Sequence, residues 1–124
     1  MLSLKGKGVC GGVTLGTLAV LRRNTAAVKR CKVQNAEAEV ARFQTARQDA
    51  IDKLAELYEK AVADVGKDNA AIFEIHQMML EDLDYIESVE GIIRTQQVNA
   101  EYAVQTTAAN FAEIFSSMED DYMR

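Results

Sequence analysis

The chain has 124 residues, 48% apolar and 27% charged, with a formal net charge of −5 and no proline or tryptophan. These are ordinary values for one soluble globular domain with a modest core, and the lack of helix breakers favours helix. The charge is uneven: residues 1–32 carry seven Lys or Arg and no acid, whereas the other 92 carry a net −12, so most of the surface repels nucleic acid and complements a basic protein partner.

Residues 1–33 hold five of the seven glycines. The literal match Gly6-Lys-Gly-Val-Cys-Gly11 to a dinucleotide-binding turn lacks its context. Only five residues precede it, a strand-like run follows, and Cys31 stands where an acid is needed. Val13 to Leu21 favours strand by its Val, Thr and Leu content. It is apolar on both faces, as in a strand buried within a sheet, yet nothing later in the chain offers that sheet. The run is too short to span a bilayer and ends in Arg22-Arg23 rather than a cleavage site. Cys10 and Cys31 form neither a disulfide framework nor a metal spacing. A cytoplasmic protein with reduced thiols and no membrane association is expected.

From Asn35, a plausible N-cap, the pattern becomes helical. Ala36, Val40, Phe43, Ala50, Leu54, Leu57, Ala61 and Val65 draw one stripe, and Gly66 supplies the stop. That predicts a helix of roughly 30 residues, about 45 Å long. A second helix follows, capped by Asp68 or Asn69. Its core stripe is read as Ile72, Ile75, Met79, Leu83, Ile86, Val89 and Ile93, ending near Gln97. So short a connection makes the two helices antiparallel. A third helix begins at Asn99, with Val98 set to staple onto Ala103, and runs to about Ser117. Glu119 to Arg124 reads as the start of a fourth helix, cut off.

The expected fold class is therefore mainly all-α. It is an antiparallel helical bundle with two long helices, preceded by a β-strand segment orphaned from a neighbouring α/β domain. Residues 1–33 belong to that neighbour; residues 34–124 form the helical domain, truncated in its last helix.

His76 is the single histidine, so Ser–His–Asp and Cys–His catalytic sets find no support. It reads as an interface contact, a plain surface histidine or a phosphoacceptor. The last is disfavoured because Glu74, Glu81 and Asp82 would repel a phosphoryl group. Met78 and Tyr85, seven residues apart, widen the apolar face beside the expected core stripe. Residues 64–90 hold eight acids against Lys67 alone. With few intrahelical cations to pair them, a basic partner would relieve their repulsion.

The segment Asn69-Ala-Ala-Ile-Phe-Glu-Ile-His-Gln-Met-Met-Leu-Glu-Asp82 resembles a signature of the enzyme I family, the phosphoenolpyruvate–protein phosphotransferases of the bacterial sugar phosphotransferase system. Ala71-Ile-Phe73, His76, Leu80, Asp82 and Asp120-Asp-Tyr122 fall where that family has them. Gly8, Gly12-Val13 and Gly16 resemble its opening strand, with a departure at Cys10 and Gly11. The resemblance implies a domain of two antiparallel helix pairs that docks the phosphocarrier HPr, whose histidine is flanked by basic residues and an apolar patch. It implies a docking surface of Asp68, Ala71, His76, Met78, Met79, Asp82, Asp84 and Tyr85, joined by Phe115, Tyr122 and Met123. Lys67 and Asn69 depart from the common pattern at its rim. No catalytic residue, cofactor or metal is then expected in this chain. The phosphoaccepting histidine, the Mg²⁺ and phosphoenolpyruvate sites and the homodimer contact lie beyond position 124. Two other readings stay open: a self-contained phosphotransfer domain modified at His76, and a structural helical dimerisation domain.

Overall fold

The computed structural model describes residues 3–21 and 27–118. Four helices follow in order: α1 (Ala36–Val65), α2 (Lys67–Glu81), α3 (Leu83–Gln96) and α4 (Ala100–Ser117). The all-α class holds. The bounds of α1 and α4 fall where the caps and stripes place them.

Asn35 caps α1 as expected, its side chain accepting from the Ala38 amide at 3.1 Å. Glu37 and Glu39 lie in the first turn, where the helix dipole favours anions. Gly66 ends α1 with φ 87°, a backbone state that a β-carbon would strain, and its N–H bonds the Val62 carbonyl. That single residue joins α1 to α2. Gly66, rather than Asp68 or Asn69, occupies the cap position of α2. The Asn69 amide instead donates to the Val65 carbonyl at 2.9 Å, closing the end of α1.

The helix expected from 68 to 97 is two helices. Asp82 adopts an extended conformation (φ −62°, ψ 126°), and its side chain accepts from the Tyr85 amide at 2.9 Å. It thus ends α2 and caps α3, the local bonding by which Asp competes with a continuous helix.

The core lies where the first half of α1 meets α3 and the start of α4. Val40, Phe43, Val89, Ile93, Ala100 and Ala103 are buried there, flanked by Ala36, Tyr85, Ile86, Ile92 and Val104. Val98, the expected staple, is buried too. α2 runs antiparallel along the second half of α1. Gln77 Nε2 donates to the Ile51 carbonyl at 3.2 Å, and Arg47 Nη1 to the Leu80 carbonyl at 3.0 Å. On α1, Ile51 is buried, whereas Leu57 and Val65 of the expected stripe are exposed.

Val13 to Leu21 forms no strand; Val13 is 100% and Leu15 98% exposed. A strand needs a ladder partner, and the sole β-bridge among the described residues, Lys32 with Val98, lies elsewhere. The segment is tied to the helices only further along. Asn99 N donates to the Cys31 carbonyl (3.0 Å), Cys31 N to Asn99 Oδ1 (2.8 Å), Asn99 Nδ2 to the Lys29 carbonyl (3.1 Å) and Val33 N to the Gln97 carbonyl (2.9 Å). Asn99, at the N-cap position of α4, thus spends its side chain on the incoming segment. Glu39 Oε1 takes its place, accepting from the Ala100 amide at 2.7 Å.

Candidate docking surface

α2 is apolar on two sides. Ala70, Phe73, Gln77 and Leu80 are the buried or partly buried positions that recur along the side facing α1. Ile72, Ile75 and Met79, read from the sequence as core, are exposed by 48%, 51% and 58%. The correction is geometric. Two residues' offset turns a helix by about 200°, so the stripes lie on nearly opposite sides. Gln77 is polar, which hides the inner stripe from a hydropathy reading, yet its hydrogen bond to Ile51 satisfies it there. Leu83, past the break, is 71% exposed, and Met78 is 65% exposed on the flank. A row of large exposed apolar side chains on one helix face is the feature that marks interaction surfaces.

Acids frame this row. Asp68 stands in the first turn of α2 and Asp84 in that of α3, and Glu74, Glu81, Asp82 and Glu87 are exposed between and beyond them. Among the described residues, the ion pairs lie elsewhere. Arg42 pairs with Glu39 and Glu101, and Arg94 with Glu37 (2.8 Å) and Glu90 (2.9 Å). Of the eight acids in 64–90, only Glu90 joins one. The rest give the outer surface an uncompensated negative field.

The structure brings most of the sequence-derived site together. Asp68, Ala71, His76, Met78 and Met79 all lie on α2; His76 is exposed and Ala71 partly buried. Asp82 sits at the break, spending one carboxylate oxygen on the Tyr85 amide. Tyr85 is not a neighbour of Met78 on one continuous face, because the helix breaks between them. Its ring packs edge-on against Phe43 with centroids 6.3 Å apart. Burial pushes its hydroxyl above the ordinary phenol value, partly offset by the positive charge of Arg47. Beside it a cleft of about 190 Å³ is lined by Phe43, Ala46, Arg47, Leu80, Tyr85 and Val104 among others. Phe115 is 40% exposed near the end of α4, with Ile114 and Met118 exposed beside it, and α4 does not pack against α2. Tyr122 and Met123 lie outside the described residues. Ile72, Ile75 and Leu83 belong to the surface but were read as core.

Among the described residues, no three His, Cys, Asp or Glu side chains are grouped to hold a metal ion. No helix among them is long and apolar enough to cross a membrane.

Comparison with known proteins then decides the family. The family described as "PEP-utilising enzyme, N-terminal" matches residues 5–124. The chain belongs to this family. Phosphoenolpyruvate-protein phosphotransferase from Bacillus subtilis (strain 168) is 33% identical over 124 residues, which is 100% of this chain and 22% of that protein. The enzyme of the same name from Listeria monocytogenes is 33% identical over 121 residues, 98% of this chain and 21% of that protein. The chain thus spans about a fifth of the length of these curated relatives. A solution NMR structure of an Enzyme I protein superposes with a TM-score of 0.74 at 31% identity, covering 81% of this chain and 41% of that one. The N-terminal domain of "Enzyme 1 - Nitrogen" gives 0.70 at 25% identity, over 77% of this chain and 40% of that one. The resemblance to the enzyme I family is borne out, and this member of the family presents an apolar and acidic surface on α2.

Proposed function

We propose that this chain is the partner-docking part of a longer phosphoenolpyruvate–protein phosphotransferase. It holds an HPr-like phosphocarrier on α2 and the start of α3 while a histidine elsewhere in the longer protein passes a phosphoryl group to the carrier's histidine. The observation that carries this reading is the exposed apolar row Ile72, Ile75, Met79 framed by acids that join no ion pair among the described residues. An apolar patch rimmed by basic residues is its physical complement.

On this reading Met78 and Met79 adapt to the apolar patch, as flexible thioethers do. Asp68, Asp84 and Glu81 meet the basic rim. His76 is a contact residue: a phosphorylated imidazole there would add negative charge beside Glu74 and Glu81. Phosphoenolpyruvate and Mg²⁺ belong to other parts of the longer protein, as do its cytoplasmic work in sugar uptake and its homodimer contact.

Titration of the chain with an HPr-type carrier at low salt tests the reading. The amide resonances of Ala71 to Glu81, with Asp84 and Tyr85, should shift, and affinity should fall as salt rises. Absence of any shift in α2 removes the proposal. Incubation with phosphoenolpyruvate should leave His76 unlabelled. Phosphohistidine at that position would replace docking by direct phosphotransfer.

A further inference from the structure

The docking reading gives Arg47 no role. Arg47 lies on α1, partly buried, and makes no ion pair with any carboxylate among the described residues. It points to the break between α2 and α3. Ending α2 at Glu81 leaves its last carbonyls without intrahelical donors. Arg47 Nη1 supplies one of them, donating to the Leu80 carbonyl at 3.0 Å. Its charge also meets the negative end of the α2 dipole.

The guanidinium is itself held. Its Nε donates to Gln44 Oε1 at 2.9 Å, and the Gln44 amide donates onward to Glu90 of α3. About one turn of α1 thereby ties the end of α2 to the body of α3 across the break. The other side-chain hydrogen bonds between α1 and α2 among the described residues lie further from the break, Gln77 to Ile51 by about a turn and Asn69 to Val65 at the opposite end of α2. The break divides the docking surface: His76, Met78 and Met79 lie on one side, Asp84 and Tyr85 on the other.

We propose that Arg47 is a positioning residue that fixes the angle between α2 and α3, so that the partner meets the two halves of the docking surface already aligned. This rests on the docking reading. Pre-alignment spares the partner the ordering of the surface, so its loss weakens binding without removing a contact. The fork geometry matters as well as the charge, because Lys cannot serve Leu80 and Gln44 from two fixed donors.

The test uses the 124-residue chain with Arg47→Met, Arg47→Lys and, as a surface control, Lys53→Met. Far-UV circular dichroism checks folding; if Arg47→Met unfolds, Arg47→Lys carries the comparison. The first readout is hydrogen exchange at the Tyr85 and Ile86 amides, which bond to the Asp82 side chain and carbonyl. Loss of a charged hydrogen bond should speed both by about tenfold in Arg47→Met, leaving the Asn99 amide and the control unchanged. The second readout is affinity for an HPr-type carrier, which should fall about tenfold in Arg47→Met and less in Arg47→Lys. Unchanged exchange overturns the proposal, and so does faster exchange with unchanged affinity. If the unsubstituted chain binds no carrier, the docking reading fails and the positioning role fails with it. The exchange readout then still decides whether Arg47 fixes the break.

Discussion

Arg42 grips Glu101 with two parallel hydrogen bonds, Nη1 to Oε1 at 2.8 Å and Nη2 to Oε2 at 2.7 Å. The pair ties α1 to the first turn of α4. The Arg42 guanidinium holds the Glu101 carboxyl down at about 2, helped by its own backbone amide and by Asn99. A carboxyl depressed in the folded state adds stability above its unfolded value, and that stability is lost as pH falls from about 4.5 towards 2. Both side chains are half exposed, so water screens the pair to about 1 kcal/mol or less. Urea unfolding at pH 7 and pH 3 should show this acid loss, and Glu101→Gln should reduce it.

Ile75 and Ile93 are the same residue type in opposite settings, one half exposed on α2 and the other fully buried on α3. Ile93→Ala should cost about 2–5 kcal/mol in urea unfolding. Ile75→Ala should stay within about 0.5 kcal/mol yet weaken carrier binding. Equal losses of stability would return the outer stripe of α2 to the core.

Thr107 on α4 is buried and its hydroxyl has no hydrogen-bond partner among the described residues. Replacing that hydroxyl by a methyl removes an unmet polar group at almost constant volume. Thr107→Val should therefore stabilise the chain by about 1 kcal/mol, read as a higher urea midpoint at unchanged slope.

Gly66 carries the whole turn between α1 and α2 at φ 87° and ψ 164°. A β-carbon there meets no neighbouring atom, so the penalty for Gly66→Ala is purely one of backbone conformation. It should be about 1–3 kcal/mol by thermal or urea unfolding.

Much of this architecture is legible in the sequence, and the failures have physical causes. Asn35, Gly66 and the start of α4 are signalled by local chemistry that acts within one turn. Asp82 has that chemistry too, but an acid inside an otherwise unbroken apolar period reads as a solvated position. The inner face of α2 escapes notice because Gln77 is satisfied by a carbonyl 26 residues away. Periodicity finds apolar stripes; it does not say which of two will face the neighbour. Val13 to Leu21 has strand composition, but composition supplies no partner strand. The acids, Met78 and Met79 that single out α2 in the sequence are exposed there, whereas Phe115 lies on α4, which does not pack against α2.

The Asn99 clamp has a consequence for how the chain assembles. α1 and α2 meet across a single residue, and α3 and α4 across three. Each hairpin therefore closes at little entropic cost. Cys31 and Asn99 are 68 positions apart, so their bonds can form only after both hairpins have brought the ends together. Loop-closure entropy predicts that the two local hairpins form before their mutual docking, with the clamp the last to close and the first to open. The Cys31, Val33 and Asn99 amides should be the first bonded amides to exchange with solvent, ahead of those that bury Ile93.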